Sequence, residues 1–141
     1  MEYSAIKELV FKGQESVDVP PCFTSMDGEI MEVTELSMVA CFPVKSEYCN
    51  PAGSMQGGLL TAVFDNVFGP LSHIYFKTLT TTIYINTSYQ RPVFPGDMLT
   101  VRAEIHNPGR NTAHMLGEAR NRAGKLIASA DTTYMILPPR K

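Results

Sequence analysis

One carboxylate stands out by its surroundings. Between Gly57 and Phe76 the chain reads GGLLTAVFDNVFGPLSHIYF, and Asp65 is the one acidic residue in it. Leu59, Leu60, Ala62, Val63, Phe64, Val67, Phe68, Leu71, Ile74 and Tyr75 cover every side of a helical wheel. A helix that is apolar all round is a buried one, so Asp65 is expected to be a buried carboxylate. Burying an unpaired carboxylate is costly and calls for a reason. One reason is chemical; the other is that Asp65 faces a water-filled gap or caps another element.

The residues just before the helix supply a second feature. Gln56-Gly57-Gly58 falls where the helix should begin. Two glycines leave the backbone uncovered, so a ligand can approach the free N–H groups of the first turn. Those groups, with the helix dipole behind them, favour a developing negative charge. Gly58 and Asp65 are seven residues apart, about two turns, and so share nearly the same helix face. An anion hole and a carboxylate on one face suit hydrolysis of an activated carbonyl. The carboxylate would deprotonate a water or attack directly.

The elements that must position these groups follow from pattern. The helix over 57–76 would be about 30 Å long, with a kink or local break expected at Gly69-Pro70. Ser4 to Phe11 reads as a short helix capped by Ser4, and Pro20-Pro21 breaks whatever precedes it. Met26 to Glu29 reads as a turn. Ile30–Glu35 and Leu36–Val44 read as strands, and Asn50 to Gly53 as a loop. After the helix, Thr80–Tyr89 is rich in β-formers, and alternating runs follow near Leu99–Ile105, Ala113–Ala119 and Leu126–Leu137, joined by short turns. One buried helix followed by a run of strands predicts an α+β architecture, an antiparallel sheet wrapped around the helix. The 141 residues are expected to form a single domain over 1–141, with 1–29 as an N-terminal extension.

Composition excludes several classes. The chain is 44% apolar and 18% charged with a net charge of −2, a globular profile without the basic cluster of a nucleic-acid or membrane-surface protein. The sparse charge hints that a partner subunit covers some surface. The longest apolar stretch is too short and interrupted to span a bilayer. Cys22, Cys41 and Cys49 make an odd count without CxxC spacing; with no leader-like opening, the expected location is the reduced cytoplasm. His73, His106 and His114 lack metal-motif spacing, so no metal site and no cofactor are expected.

Here the residues meet a known family. Asn50-Pro51-Ala52-Gly53-Ser54-Met55-Gln56-Gly57-Gly58, then six residues, then Asp65-Asn66 resembles the phenylacetate-degradation (PaaI-like) group of hotdog-fold acyl-CoA thioesterases. The resemblance continues at Thr82 to Pro92, at Pro95-Gly96-Asp97, at Gly109-Arg110 and from Gly124 to Ala128. It implies a hotdog fold and hydrolysis of an acyl-CoA substrate. Asp65 would be general base or nucleophile. The Gly57 N–H, with that of Gly58, would polarise the thioester carbonyl. Asn50 would hold the loop or the water, and Thr82 would help place the water beside Asp65. It further implies a homodimer or homotetramer, with the loop before the helix of one chain facing the carboxylate of the other. Gln56 departs from the family's usual His: it can donate a hydrogen bond but cannot carry a proton. Arg91 and Arg110 lie near predicted turns and could meet CoA phosphates. The competing reading is a non-catalytic hotdog domain that binds acyl-CoA. A hydratase would need a catalytic His in the loop, where none stands.

Overall fold

The computed structural model describes residues 20–138; the helix expected at Ser4 to Phe11 lies outside them. A short helix, α1 (Pro21–Ser25), opens the described chain. Pro21 starts it, because proline at the first helical position gives up an N–H that has no helical partner anyway. Six strands follow: β1 (Glu29–Val33), β2 (Ser37–Pro43), β3 (Thr80–Tyr89), β4 (Met98–His106), β5 (Thr112–Arg120) and β6 (Leu126–Ile136). The long helix α2 (Gly57–Phe76) stands between β2 and β3. All pairings are antiparallel and the sheet order is β1-β2-β4-β5-β6-β3, so β1 and β3 are its edges. This is the α+β arrangement that the pattern predicts.

The strands bury alternate residues against the helix, as period-two geometry requires. Met38, Ala40 and Phe42 on β2, Leu99, Val101 and Ala103 on β4, and Ala113, Met115 and Ala119 on β5 are sealed from solvent. From the helix, Leu60, Val63, Phe64, Val67, Phe68, Leu71 and Ile74 meet them. Phe23 and Met26, on and just after α1, join the same core. Phe64 and Phe68 lie nearly parallel, ring centroids 5.9 Å apart, above Gly117 of β5. A Cβ at Gly117 would sit 2.8 Å from Phe68 Cζ and 3.0 Å from Phe64 Cδ1. The helix can lie this close to the sheet only because that position carries no side chain.

Two expectations need correcting. The helix runs unbroken through Gly69-Pro70 from Gly57 to Phe76. Pro70 lacks the N–H that would meet the Asn66 carbonyl, but the core grips the helix on both sides of it, through Phe64 and Phe68 before and Leu71 and Ile74 after. Nor is the helix buried all round. Gly58 and Asp65 are exposed, and Ala62 and Gly69 are half-buried. On a wheel that stripe carries Ala62 alone as its apolar residue, and one methyl between the bare Gly58 and Gly69 leaves the flank open.

The packing at Gly117 predicts its own test. Gly117→Ala should lower stability by about 1–3 kcal/mol, because two fully buried rings have nowhere to retreat. Urea unfolding at fixed protein concentration measures this; an unchanged midpoint would mean that the helix lifts away without cost.

Candidate active site

Asp65 projects from α2 toward β3 and β6 at the edge of the sheet. Thr82 and Tyr134 are register partners across those two strands, so their side chains lie side by side on the face toward the helix. Thr82 Oγ1 donates to Asp65 Oδ1 at 3.0 Å, and the Tyr134 hydroxyl donates to the same oxygen. The Tyr134 hydroxyl also stands 3.5 Å from the Asp65 carbonyl. An irregularity in β3 just past Thr82 shifts the register and leaves Ile83 exposed; bulges commonly re-aim a strand in this way. The carboxylate itself is exposed in the single chain. The expected buried Asp65 is thus a surface carboxylate on the helix flank, held by two hydroxyls.

Tyr134 is the residue that sequence reading missed. Its ring is 2% exposed and meets Phe68 edge-on, centroids 6.4 Å apart. Burial pushes its phenol far above the ordinary tyrosine range, and the Asp65 charge and hydrogen bond push it further. Tyr134 therefore stays protonated and acts as a donor. Nothing in the run Asp131-Thr132-Thr133-Tyr134-Met135 separates this tyrosine from a core aromatic; only the pairing with Thr82 does.

The start of α2 is built for access. Gln56 is the N-cap, in extended conformation and without a side-chain cap bond. Its carbonyl takes the N–H groups of Leu59 at 3.0 Å and Leu60 at 3.2 Å. The N–H groups of Gly57 and Gly58 have no partner among the described residues, as first-turn amides commonly do not. Tyr89 lies across Gly57, its hydroxyl donating to the Gly57 carbonyl at 2.7 Å. A Cβ at Gly57 would be 2.9 Å from the ring, whereas beside Gly58 the space is open.

Side-chain bonds tie α2 to β3 along its length. Ser72 Oγ is 2.6 Å from Thr80 Oγ1, and Thr82 holds Asp65. Thr61 Oγ1 is 2.8 Å from both Thr87 Oγ1 and the Tyr89 hydroxyl, and Tyr89 holds Gly57.

The remaining predicted residues fall in different places. Asn50 serves its own loop: its Oδ1 accepts from the Ala52 N–H at 3.0 Å and the Ser54 N–H at 3.3 Å, and its Nδ2 meets Ser54 Oγ at 3.1 Å. Gly53, at φ +85°, makes the turn possible. Gln56 is exposed beside the helix start, its N–H bonded to the Tyr48 carbonyl at 2.8 Å. Arg91 follows Tyr89, and its Nη1 donates to the Leu126 carbonyl at 3.2 Å. Arg110 sits in the β4–β5 turn, beyond the row that joins Thr112, Met135 and Thr81. The two arginines thus lie at opposite ends of the sheet, about 30 Å of strand apart, and one chain does not bring them together. No group of three or more metal-ligating side chains forms among the described residues, and no described helix is long and apolar enough to cross a membrane.

Comparison with known proteins bears on this arrangement. Residues 52–128 match the model of the thioesterase superfamily. A protein of Archaeoglobus fulgidus named "Putative esterase" is 30% identical over 128 residues, which cover 91% of this chain and 79% of that protein. A solved phenylacetic acid degradation-related protein from Ralstonia eutropha is 30% identical, with a TM-score of 0.80 over 92% of this chain and 97% of its own. A hypothetical thioesterase from Streptococcus pneumoniae, solved with coenzyme A, shares the fold at 23% identity, with a TM-score of 0.75 over 81% of this chain and 88% of its own.

The Asn50 bonds predict a local effect. Asn50→Ala should speed amide hydrogen exchange at Ala52 and Ser54 by about fivefold, since each lost bond is worth roughly 1 kcal/mol. Exchange rates in this loop equal to wild type would show that the turn holds without the side chain.

Proposed function

Since this chain belongs to the thioesterase superfamily, with the hotdog fold of its PaaI-like members, we propose that it hydrolyses acyl-CoA thioesters to the free acid and CoA. The observation that carries the reading is one helix bearing both parts of the chemistry. The carboxylate of Asp65 is held by two hydroxyls, about two turns from the uncovered N–H groups of Gly57 and Gly58. A thioester is already activated, so a placed water, a base and a polarised carbonyl suffice.

The thioester oxygen would accept from the Gly57 N–H of one copy, with Gly58 beside it. Asp65 of the same helix stands about 12 Å away along the axis, so the carboxylate at that carbonyl would be Asp65 of the partner subunit, acting in one of two ways. As base it takes a proton from water, whose oxygen bonds to the carbonyl carbon; collapse breaks the C–S bond and the CoA sulfur leaves with the proton. As nucleophile it bonds to that carbon itself, expels the CoA thiolate and is freed by water. Gln56 would donate from its amide near the thioester oxygen. The same fold in the S. pneumoniae thioesterase solved with coenzyme A supports a CoA thioester as the substrate class.

In a single chain the carboxylate and the helix start are both open. The β3 edge exposes Ile83 and Tyr89 at 52% and 51%, and unpaired edges of this kind are usually covered. A second copy pairing there makes a homodimer and brings a partner surface over Asp65; two such dimers make a tetramer. The competing reading, an acyl-CoA binder without turnover, has one observation in its favour: Gln56 stands at the helix start and cannot shuttle a proton.

Three measurements decide. Asp65→Asn should fold and assemble as wild type, bind a non-hydrolysable acyl-CoA analogue, and lose roughly 100-fold or more in turnover; wild-type rates in that variant would refute the mechanism. Gln56→His should keep or raise activity, and Gln56→Ala should lose roughly 100-fold; equal rates in all three proteins would remove the side chain from the reaction. Light scattering should give a dimer or tetramer, reduced to monomer by Ile83→Asp; a wild-type monomer at micromolar concentration would sink the shared site.

A further inference from the structure

Asp65 is exposed, yet one of its oxygens is committed. A carboxylate offers about four acceptor positions on two oxygens, and here Oδ1 takes both hydroxyl donors, from Thr82 and Tyr134. Among the described residues no side chain donates to Oδ2. The two donors differ in kind. A threonine hydroxyl turns freely about its own bond. The tyrosine hydroxyl is carried by a ring that is 2% exposed and wedged edge-on against Phe68. A tyrosine at such a position needs a partner for its hydroxyl, and phenylalanine would fill the same space without one. The partner it has is the carboxylate, through a charge-assisted bond of the stronger kind.

We propose that Tyr134 is a positioning residue for thioester hydrolysis: with Thr82 it fixes Oδ1, so that Oδ2 is the oxygen that takes the proton from water or attacks the carbonyl carbon. The inference rests on Asp65 acting in the hydrolysis proposed above. It assigns Tyr134 no contact with substrate. An exposed aspartate free to turn would present either oxygen in many directions, and misplacement by about 1 Å can cost a reaction 100-fold. Two strands of a packed sheet remove that freedom.

The test uses the full-length protein. Tyr134→Phe keeps the ring and its contact with Phe68, so thermal unfolding and assembly should match wild type closely. Its kcat should fall about tenfold while KM stays within about twofold, as expected when placement of the reacting group is lost and binding is not. In an Asp65→Asn background the same change should cost nothing further in turnover, because the residue it acts through is gone. Wild type should give a down-field tyrosine hydroxyl proton in its NMR spectrum, lost in Tyr134→Phe and in Asp65→Asn alike. A wild-type kcat in Tyr134→Phe, an equal loss in both backgrounds, or a hydroxyl proton indifferent to Asp65→Asn would each overturn the proposal. If wild type hydrolyses no member of an acyl-CoA panel, the hydrolase reading fails first and takes the positioning role with it, a result recognised before any variant is compared.

Discussion

Phe64 and Phe68 lie across Gly117, and the distance between helix and sheet follows from the single hydrogen at that position. Interiors are close-packed, so the spacing at one contact is felt along the whole element. Three residues of helix lie between Phe64 and Phe68, and Asp65 is one of them. Were the helix lifted by the width of a methyl group, its flank would move away from β3 and β6 as well. The hydroxyls of Thr82 and Tyr134 then could not both reach one carboxylate oxygen. Core packing and site geometry are in this sense one constraint, set on β5 and felt two strands away.

The means of holding the carboxylate have a chemical consequence. A cation beside Asp65 would fix it through charge and would compete with any positive charge that develops in the reaction. Neutral hydroxyls fix it through direction. Tyr134 is well suited because burial keeps its proton on, so across the working range it gives a hydrogen bond without changing the charge of the site. Around the helix start the same economy holds: backbone N–H groups and the amide of Gln56 can stabilise an oxyanion, and none of them titrates near neutrality.

Much of this arrangement was legible in the sequence. The bounds of α2 were readable because a glycine pair marks its start and a β-rich run follows its end. The strands after it were readable because apolar and polar residues alternate against a single buried face. Asp65 and Gly57 were singled out by type and spacing and Thr82 by the family resemblance, and the structure brings Thr82 onto Asp65. Three things were not legible. The exposure of Asp65 was hidden because Ala62 counts as apolar while covering little, and the bare Gly58 and Gly69 beside it cover nothing. The continuity of the helix at Pro70 depends on tertiary grip, which a local rule for proline omits. The contact of Tyr134 with Asp65 depends on a strand register 69 residues distant in the chain, and no local pattern carries that.

The rungs between α2 and β3 lie in order of distance from the turn that joins them. Ser72 meets Thr80 eight residues along the chain, Asp65 meets Thr82 at seventeen, Thr61 meets Thr87 at twenty-six and Gly57 meets Tyr89 at thirty-two. Each rung, once made, shortens the loop that the next must close, so every step costs little chain entropy. The pair can close like a zipper from the turn outward. Opening runs the other way, from the Gly57 end, where the rungs are farthest from the hinge. On that order of opening, the open start of the helix loosens first, and the grip on Asp65 is among the later rungs to be released.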